Sequence, residues 1–220
     1  MSSTAAEHRP RHDGSAERCP RGCAGHNRET LLTLATALTV VRTLAAVALG
    51  LVAIDRGSDV LLGVALLVHW VGDIGDGLLA RWRDEETVVG AVLDICADRL
   101  CVAVIYVGFV TTHPEFGLAL AVYLVEFMLV DAVLSLWFLR WPISGPNYFA
   151  RVDPLVWRWN WWPPAKAVNS AVPALLCVWL DLPWVALAAA AALLVVKCVC
   201  LVRVVPLPVP AGVGCAGLHG

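Results

Sequence analysis

The sequence predicts an all-α integral membrane protein, with six transmembrane helices around a polar cavity that faces the cytoplasm. Two global properties lead to this prediction: 59% of the 220 residues are hydrophobic, and the mean hydropathy is +0.73. An average soluble domain is only about 45–50% apolar. The formal net charge of −2 provides no global positive field, which argues against a nucleic-acid partner.

Apolar stretches of membrane length supply the individual helices. A spanning helix needs about 20 mostly apolar residues. Five stretches reach that length, and a sixth, at 165–181, is shorter. The five long stretches are residues 30–54, 59–82, 88–111, 116–139 and 183–204.

The positive side chains fall on one side of these helices. The basic set consists of the N-terminal arginines, Arg81, Arg83, the basic residues of 140–166, and Arg203. The opposite connections carry only Arg56 as a fixed positive charge. By the positive-inside rule, the basic side and both termini face the cytoplasm. We therefore expect a flexible cytoplasmic tail over residues 1–28, a membrane domain over 29–204 and a short C-terminal tail over 205–220.

The predicted N-terminal tail contains Cys19, Cys23 and His26. Three potential ligands without an evident fourth match structural zinc spacing poorly. We therefore expect free thiols here, and the sequence implies no disulfide framework.

The longest polar connection, residues 140–166, is rich in tryptophan. Indole rings favour the headgroup level of a membrane, so we expect these side chains to anchor the loop at the surface. A sugar- or base-stacking platform is the alternative. The residues concerned are Trp141, Trp157, Trp159, Trp161 and Trp162.

Four aspartates lie inside two of the apolar stretches. Asp73 and Asp76 belong to the second predicted helix, and Asp94 and Asp98 belong to the third. A charge near the bilayer centre costs roughly 3 kcal/mol, so a cation is expected among them. Helical periodicity puts each pair on one face, and the short connection makes the two helices antiparallel neighbours. The four carboxylates are therefore predicted to converge near the cytoplasmic end.

Such a set of carboxylates is typical of a metal site. Hard divalent cations prefer oxygen ligands, and four carboxylates balance two Mg²⁺ or Mn²⁺ ions about 3.5–4 Å apart. Gly77, Ala80 and Gly90 lie on the same faces and would let a diphosphate approach the helix backbones. A helix-packing seam is the alternative for these small residues. Arg81 could neutralise a phosphate, or it could extend to the membrane surface.

The spacing of these residues resembles the signature of the CDP-alcohol phosphatidyltransferase family. The matching pattern is Asp73-x2-Asp76-Gly77-x2-Ala80-Arg81-x8-Gly90-x3-Asp94-x3-Asp98. The likeness extends to the six-span layout and so covers residues 29–204. Members of this family move a phosphoalcohol group from a CDP-alcohol to an acceptor hydroxyl and release CMP.

The resemblance implies a role for each matched residue. Asp73, Asp76 and Asp94 would bind the metal ions. Asp98 would be the general base, which fits a carboxylate within reach of the attacking hydroxyl, and would also contact metal. The CDP site would be lined by Gly77, Ala80, Arg81 and Gly90.

The first predicted helix carries a second match to the family. Thr33-x2-Thr36-x2-Thr39-x2-Arg42 is similar to an Asn-x2-Thr-x2-Thr-x2-Arg pattern in several members, with Thr33 in place of Asn. Arg42 lies well inside an apolar helix, so we expect it to face the cavity or one of its carboxylates. The substrate-binding candidates are Thr39, Arg42, His69, Asp131 and Lys166. Each of these has an alternative role. Arg42 or Asp131 could form a structural ion pair, His69 could be hydrogen-bonded internally, and Lys166 could be a charge that orients the protein in the membrane.

The identity of the acceptor is less well defined. Some phosphatidylglycerophosphate synthases of the family show an Arg-Glu pair in the fourth helix, where alignment puts Val130 and Asp131. The absent arginine removes one expected contact to a phosphorylated acceptor. The basic residues that could replace it are Arg140, Arg151, Arg158 and Lys166.

These observations predict a membrane enzyme with two Mg²⁺ or Mn²⁺ ions. We expect it to transfer a phosphatidyl group from CDP-diacylglycerol to a small polar alcohol, either a polyol or a polyol phosphate. A donor of the CDP-choline or CDP-ethanolamine type with a lipid acceptor is one alternative. A cation transporter is another, although no inverted repeat is evident. We expect the lipid bilayer to be a partner in every case, and the sequence leaves open whether the protein forms a homodimer.

Overall fold

The computed structural model describes residues 19–169 and 182–209. These residues are helical and contain no β-strand; one isolated bridge pairs Cys23 with Ile143. The helices are α1 (Leu34–Arg56), α2 (Asp59–Arg83), α3 (Val88–Thr112), α4 (Pro114–Arg140), α5 (Pro154–Asn160) and α6 (Pro183–Val204), with a 3₁₀ helix at Pro146–Arg151. Residues 163–169 are also helical. The all-α prediction is thus confirmed for the described residues.

Four of these helices, α1, α2, α4 and α6, are long and apolar enough to cross a membrane. The 25-residue α3 packs against both α1 and α2 and carries the charged residues Asp94, Asp98 and Arg99. The shorter predicted span at 165–181 lies mostly outside the described residues. The structure therefore supports a multi-pass membrane protein, with four candidate spans among the described residues.

Side-chain caps determine where the first three helices begin. Thr33, Ser58 and Thr87 have extended backbones, and each accepts a hydrogen bond from a backbone N–H in the first turn. Such caps satisfy N–H groups that have no partner within the helix. At the other end of α2, Asp84 adopts a left-handed backbone with φ of 56°. This conformation is uncommon outside glycine and turns the chain sharply into α3.

One turn of α4 is wider than the rest. Residues Glu126–Asp131 form a π-helical turn, in which hydrogen bonds join residues five apart. Residues five apart therefore come close to the same side, whereas in a regular α-helix they would differ by about 140°. Glu126 and Asp131 are both buried as a result, at 2% and 7% exposure.

Two apolar clusters hold α4 and α6 against the other helices. One surrounds Tyr106 and Tyr123, and the other surrounds Leu134 and Phe138. Trp141 and Trp161 are buried in the second cluster, so the prediction of surface anchoring is wrong for these two. Their indoles fill the space between the loop and the helix ends instead.

Residues 19–29, called the strap, lie against the loop that follows α4. The backbone N–H of Ala24 donates to the carbonyl oxygen of Pro142 at 3.1 Å. Cys19 and Cys23 are both disulfide-bonded, so the expectation of free thiols in this segment is wrong. A zinc site needs thiolates, which a disulfide does not provide.

The strap also holds the turn between α2 and α3. Asn27 donates through Nδ2 to the carbonyl oxygens of Asp84 and Glu86 at 2.8 and 2.9 Å. The carboxylate of Glu29 accepts from the first two backbone N–H groups of α3, both at 3.1 Å. The last residues of the predicted tail, together with Glu29, thus help to position the two helices that carry the aspartates.

His26 makes this attachment dependent on pH. Its Nε2 lies 2.9 Å from Asp84 Oδ2, and this hydrogen bond is the main reason that the pKa of His26 is raised. A raised pKa means that the folded protein favours the protonated imidazole. The resulting stability is fully present below the unfolded-state pKa of about 6.5 and is lost as pH rises through the folded-state pKa.

We therefore expect His26→Gln to lower the melting temperature at pH 6 more than at pH 9, because only the protonated imidazole forms the ion pair. Melting curves of both proteins across this range would check it. His113→Gln serves as the comparison. His113 also has a raised pKa, but it pairs with Asp59 at the start of α2, away from the strap. A pH-independent difference for His26→Gln would contradict the assigned pair.

Candidate active site

Arg42 lies at the centre of the four motif aspartates. Its Nη2 donates to Asp73, Asp94 and Asp98 at 3.2, 2.5 and 3.0 Å, and its Nε donates to Asp76 at 2.7 Å. The residue is only 3% exposed. The four carboxylates therefore converge as predicted, and the buried Arg42 is a cation shared among them.

The helix packing explains how Arg42 reaches this position. A Cβ atom on Gly72 would lie 2.6 Å from both Cβ and Cδ of Arg42, so only glycine lets α1 approach α2 this closely. Two further candidates complete the surroundings. Thr39 donates to Asp76 Oδ2 at 2.7 Å, and His69 Nδ1 accepts from Arg42 Nη1 at 3.1 Å. His69 is thus bonded inside the site.

Three of the carboxylates fit a hard divalent cation. Asp73, Asp76 and Asp94 each offer an oxygen, and these atoms lie within 4.8 Å of one another. The side chains of Asp73 and Asp94 are 38% and 40% exposed, so both are accessible beside a cavity. Oxygen donors of this kind match the preferences of Mg²⁺ and Mn²⁺. Asp98 lies one helical turn beyond Asp94 and is 22% exposed.

A cavity of about 240 Å³ opens above these carboxylates. Gly77, Ala80, Arg81 and Gly90 all line it. Arg81 folds back over Gly77, whose absent side chain would lie 3.4 Å from Arg81 Nη1. A Cβ on Gly90 would come within 2.8 Å of Thr87 Oγ1, the cap of α3. Small residues at 77 and 90 therefore keep this wall of the cavity close to the backbone.

A family profile described as CDP-alcohol phosphatidyltransferase matches residues 32–202. The chain belongs to this family. No curated protein and no solved structure matches the chain.

Membership establishes the general chemistry. Phosphatidyltransferases of this family are membrane enzymes of phospholipid biosynthesis that transfer a substituted phosphate group from a CDP-alcohol, with a divalent metal ion. The Asp cluster of this chain is suited to such an ion. The cation-transport alternative is set aside, because the family is one of phosphotransferases.

In this phosphatidyltransferase a second charged network lies beside the one formed by Arg42 and the four aspartates. Asp131 accepts from Arg99 Nη2 and, at 2.6 Å, from Lys197 Nζ. Asp131 thus pairs with Arg99 and Lys197 and not with Arg42. Arg99 follows Asp98 directly on α3, so neighbouring residues of one helix serve the two networks. All three charged residues line the same cavity as the motif aspartates.

Sequence reasoning missed the partners of Asp131. Arg99 and Lys197 are charges within apolar stretches, which is a recognised signal of a functional or paired position. Of the four basic residues considered as phosphate contacts, Lys166 lines the cavity. The other three are engaged elsewhere: Arg140 with the carbonyl of Val205, Arg151 with that of Arg21, and Arg158 over the ring of Trp162.

The cavity wall includes residues of the loop that follows α4. Tyr148 lies there, and its hydroxyl donates to Glu86 Oε2 at 2.5 Å. Burial, reinforced by this bond, raises the pKa of Tyr148 to about 12. Its hydroxyl therefore remains a hydrogen-bond donor at neutral pH and links this loop to the turn between α2 and α3.

Proposed function

We propose that the protein transfers a phosphatidyl group from CDP-diacylglycerol to a hydroxyl of a small polar alcohol, either a polyol or a polyol phosphate, and releases CMP. The convergence of four aspartates from α2 and α3 beside one cavity carries this proposal. The small residues and Arg81 on the same wall support a nucleotide diphosphate as the donor group. The apolar outer faces of the helices are suited to a donor that carries acyl chains.

Metal binding is assigned to Asp73, Asp76, Asp94 and Asp98. Two Mg²⁺ or Mn²⁺ ions held by these residues would supply positive charge for the diphosphate and for the departing CMP. Arg42, which donates to all four carboxylates, fixes their orientation. Arg81, at the cavity wall, would donate to a phosphate oxygen of the donor.

Asp98 is proposed as the general base. The attacking hydroxyl oxygen forms a bond to the β-phosphorus of the donor, and the bond from that phosphorus to the oxygen of CMP breaks. The hydroxyl proton passes to the carboxylate of Asp98. This carboxylate lines the cavity, and its bond to Arg42 Nη2 at 3.0 Å holds it in place. A positioned carboxylate within hydrogen-bond reach is the geometry that such a proton transfer requires.

The membrane arrangement is proposed on the distribution of charge. Six spans with both termini in the cytoplasm would put the strap, the turn between α2 and α3, and the loop after α4 on the cytoplasmic side. The cavity would then open toward water-soluble acceptors and CMP. The proposed domain boundaries stay at 29 and 204, with a contribution from the strap.

Metal removal is the first test of this proposal. Because the four carboxylates need divalent cations to hold the donor, a chelator is expected to stop CMP release, and added Mg²⁺ is expected to restore it. CDP-diacylglycerol should raise the melting temperature only when Mg²⁺ is present, since a ligand stabilises the state that binds it. Product lipids are identified by mass spectrometry.

The same assay compares donors. CDP-choline and CDP-ethanolamine, supplied with diacylglycerol as acceptor, are expected to give no product. Turnover with CDP-choline or CDP-ethanolamine, and none with CDP-diacylglycerol, would show that the proposed donor is wrong. CMP release that persists in excess chelator would refute the metal-dependent mechanism.

A further inference from the structure

The inner cluster is the second network, Arg99, Asp131 and Lys197, together with Asn160, whose Nδ2 contacts Cys200 Sγ one helical turn after Lys197. All four residues line the cavity and are at most 8% exposed. The proposed proton transfer and metal binding do not use them. Because the charge of Arg99 acts on Asp98 and both residues line the cavity, the cluster lies beside the proposed base, where an acceptor must bind.

We infer that the acceptor is an uncharged polyol and not a polyol phosphate. This inference rests on the proposed function and narrows its acceptor. Three properties carry it: the formal charge of the inner cluster, which Glu126 balances, the cluster's mixture of donor and acceptor atoms, and the fixed orientation of one amide.

The formal charges around the inner cluster cancel. Arg99 and Lys197 are both bonded to Asp131, and the buried carboxyl group of Glu126 lines the same part of the cavity. A phosphate group would therefore meet two acidic side chains together with the two cations. Breaking a buried pair to release a cation leaves an uncompensated charge, which is strongly destabilising. Hydroxyl groups can bind without breaking either pair.

The hydrogen-bonding atoms of the cluster match hydroxyl groups. Asn160 Oδ1 is buried and accepts no hydrogen bond from any described residue, and Arg99 Nε is a buried donor without a partner in the same part of the chain. A phosphate dianion offers only acceptors, so it cannot satisfy the oxygen of Asn160. A hydroxyl both donates and accepts. The hydroxyl groups of a polyol are therefore suited to both Asn160 Oδ1 and Arg99 Nε.

The amide of Asn160 is held in one orientation. Its Nδ2 donates to the carbonyl of Val156 at 2.8 Å and contacts Cys200 Sγ at 3.3 Å. Because a carbonyl only accepts, the amide nitrogen must face Val156, and the oxygen remains for a ligand. Lys166, by contrast, is exposed on another segment of the cavity wall, and its charge acts on Asp94, a proposed metal ligand, so we assign it to the donor phosphates.

An acceptor panel tests the inference. The purified full chain is given Mg²⁺ and CDP-diacylglycerol with glycerol, myo-inositol, or the monophosphate of each, and CMP and product lipid are measured. A neutral polyol is expected to exceed its phosphate at least about tenfold in kcat/KM, because the phosphate leaves buried polar groups unpaired. Equal or greater turnover of the phosphate overturns the inference and leaves the proposed function intact. A lack of acceptor-dependent CMP release in every arm, donor alternatives included, overturns the proposed function itself.

A matched pair of variants tests the role of Asn160. Asn160→Ala is expected to raise KM for the preferred polyol about tenfold and to leave KM for CDP-diacylglycerol unchanged, since one hydrogen bond to the acceptor is lost. Cys200→Ala removes the neighbour of the amide nitrogen and keeps Oδ1, so its acceptor KM should stay near that of the native protein. Equal effects of the two variants, or an effect on donor KM alone, would show that Asn160 is structural. The panel on the native protein decides the acceptor class even if either variant fails to fold.

Discussion

Asp98→Asn is expected to lower acceptor-dependent CMP release by about 10²- to 10⁴-fold, which is the range that general-base catalysis contributes. The amide cannot take the proton from the attacking hydroxyl. It keeps the size of the carboxylate and an oxygen that can accept from Arg42 Nη2, so the packing around the site should survive. Turnover is measured with labelled CDP-diacylglycerol and the preferred acceptor.

The control for this variant is Asp55→Asn, the same change at an exposed aspartate at the C-terminal end of α1. It should retain native activity. Mg²⁺-dependent stabilisation by CDP-diacylglycerol should persist in Asp98→Asn, because the other three aspartates still offer oxygens to metal. Undiminished CMP release by Asp98→Asn would reject the proposed base.

Arg42→Gln is expected to have the largest effect on stability. Removing the guanidinium leaves four neighbouring carboxylates without their shared counter-charge. Loss of one partner from a buried ion pair typically costs about 3–5 kcal/mol. The melting temperature should fall sharply in EDTA and recover in part with Mg²⁺, because a divalent cation bound to the folded state adds stability.

Arg83→Gln provides the comparison for Arg42→Gln. Arg83 pairs with Glu85 at 2.7 Å through a side chain that is 42% exposed. Surface pairs of this kind contribute only about 0–1 kcal/mol, so this variant should melt close to the native protein. An Arg42→Gln variant that melts like Arg83→Gln in EDTA would show that the carboxylates do not depend on Arg42.

The parts of the site that sequence reasoning predicted are those encoded by helical periodicity. The spacing of Asp73, Asp76, Asp94 and Asp98 determines their faces, and a short turn makes their helices neighbours. The cost of burying an unpaired charge predicted that Arg42 faces the cavity or one of its carboxylates, and the structure shows it in contact with all four. Predicted and observed ends of the first three helices differ by no more than about four residues, and the largest difference is at the start of α1, where Thr33 caps the helix.

The parts that it missed depend on contacts between residues distant in sequence. Arg99 and Asp131 are 32 positions apart, and Asp131 and Lys197 are 66 apart. Periodicity within one helix does not say which helix its charged side chain will meet. The burial of Trp141 and Trp161 likewise depends on how the loop after α4 folds back on the bundle. Composition indicated only that tryptophans lie near the membrane surface.

The wide turn of α4 affects how this protein is aligned with its relatives. A π-helical turn accommodates one residue more than the α-helical turn it replaces, so it acts as an insertion of a single amino acid. An ungapped alignment with a relative whose fourth helix is uniformly α-helical would slip by one position inside Glu126–Asp131. The comparison of Val130 and Asp131 with an Arg-Glu pair falls at this point. A guanidinium does meet Asp131, but α3 supplies it through Arg99, where no column of such an alignment would reveal it.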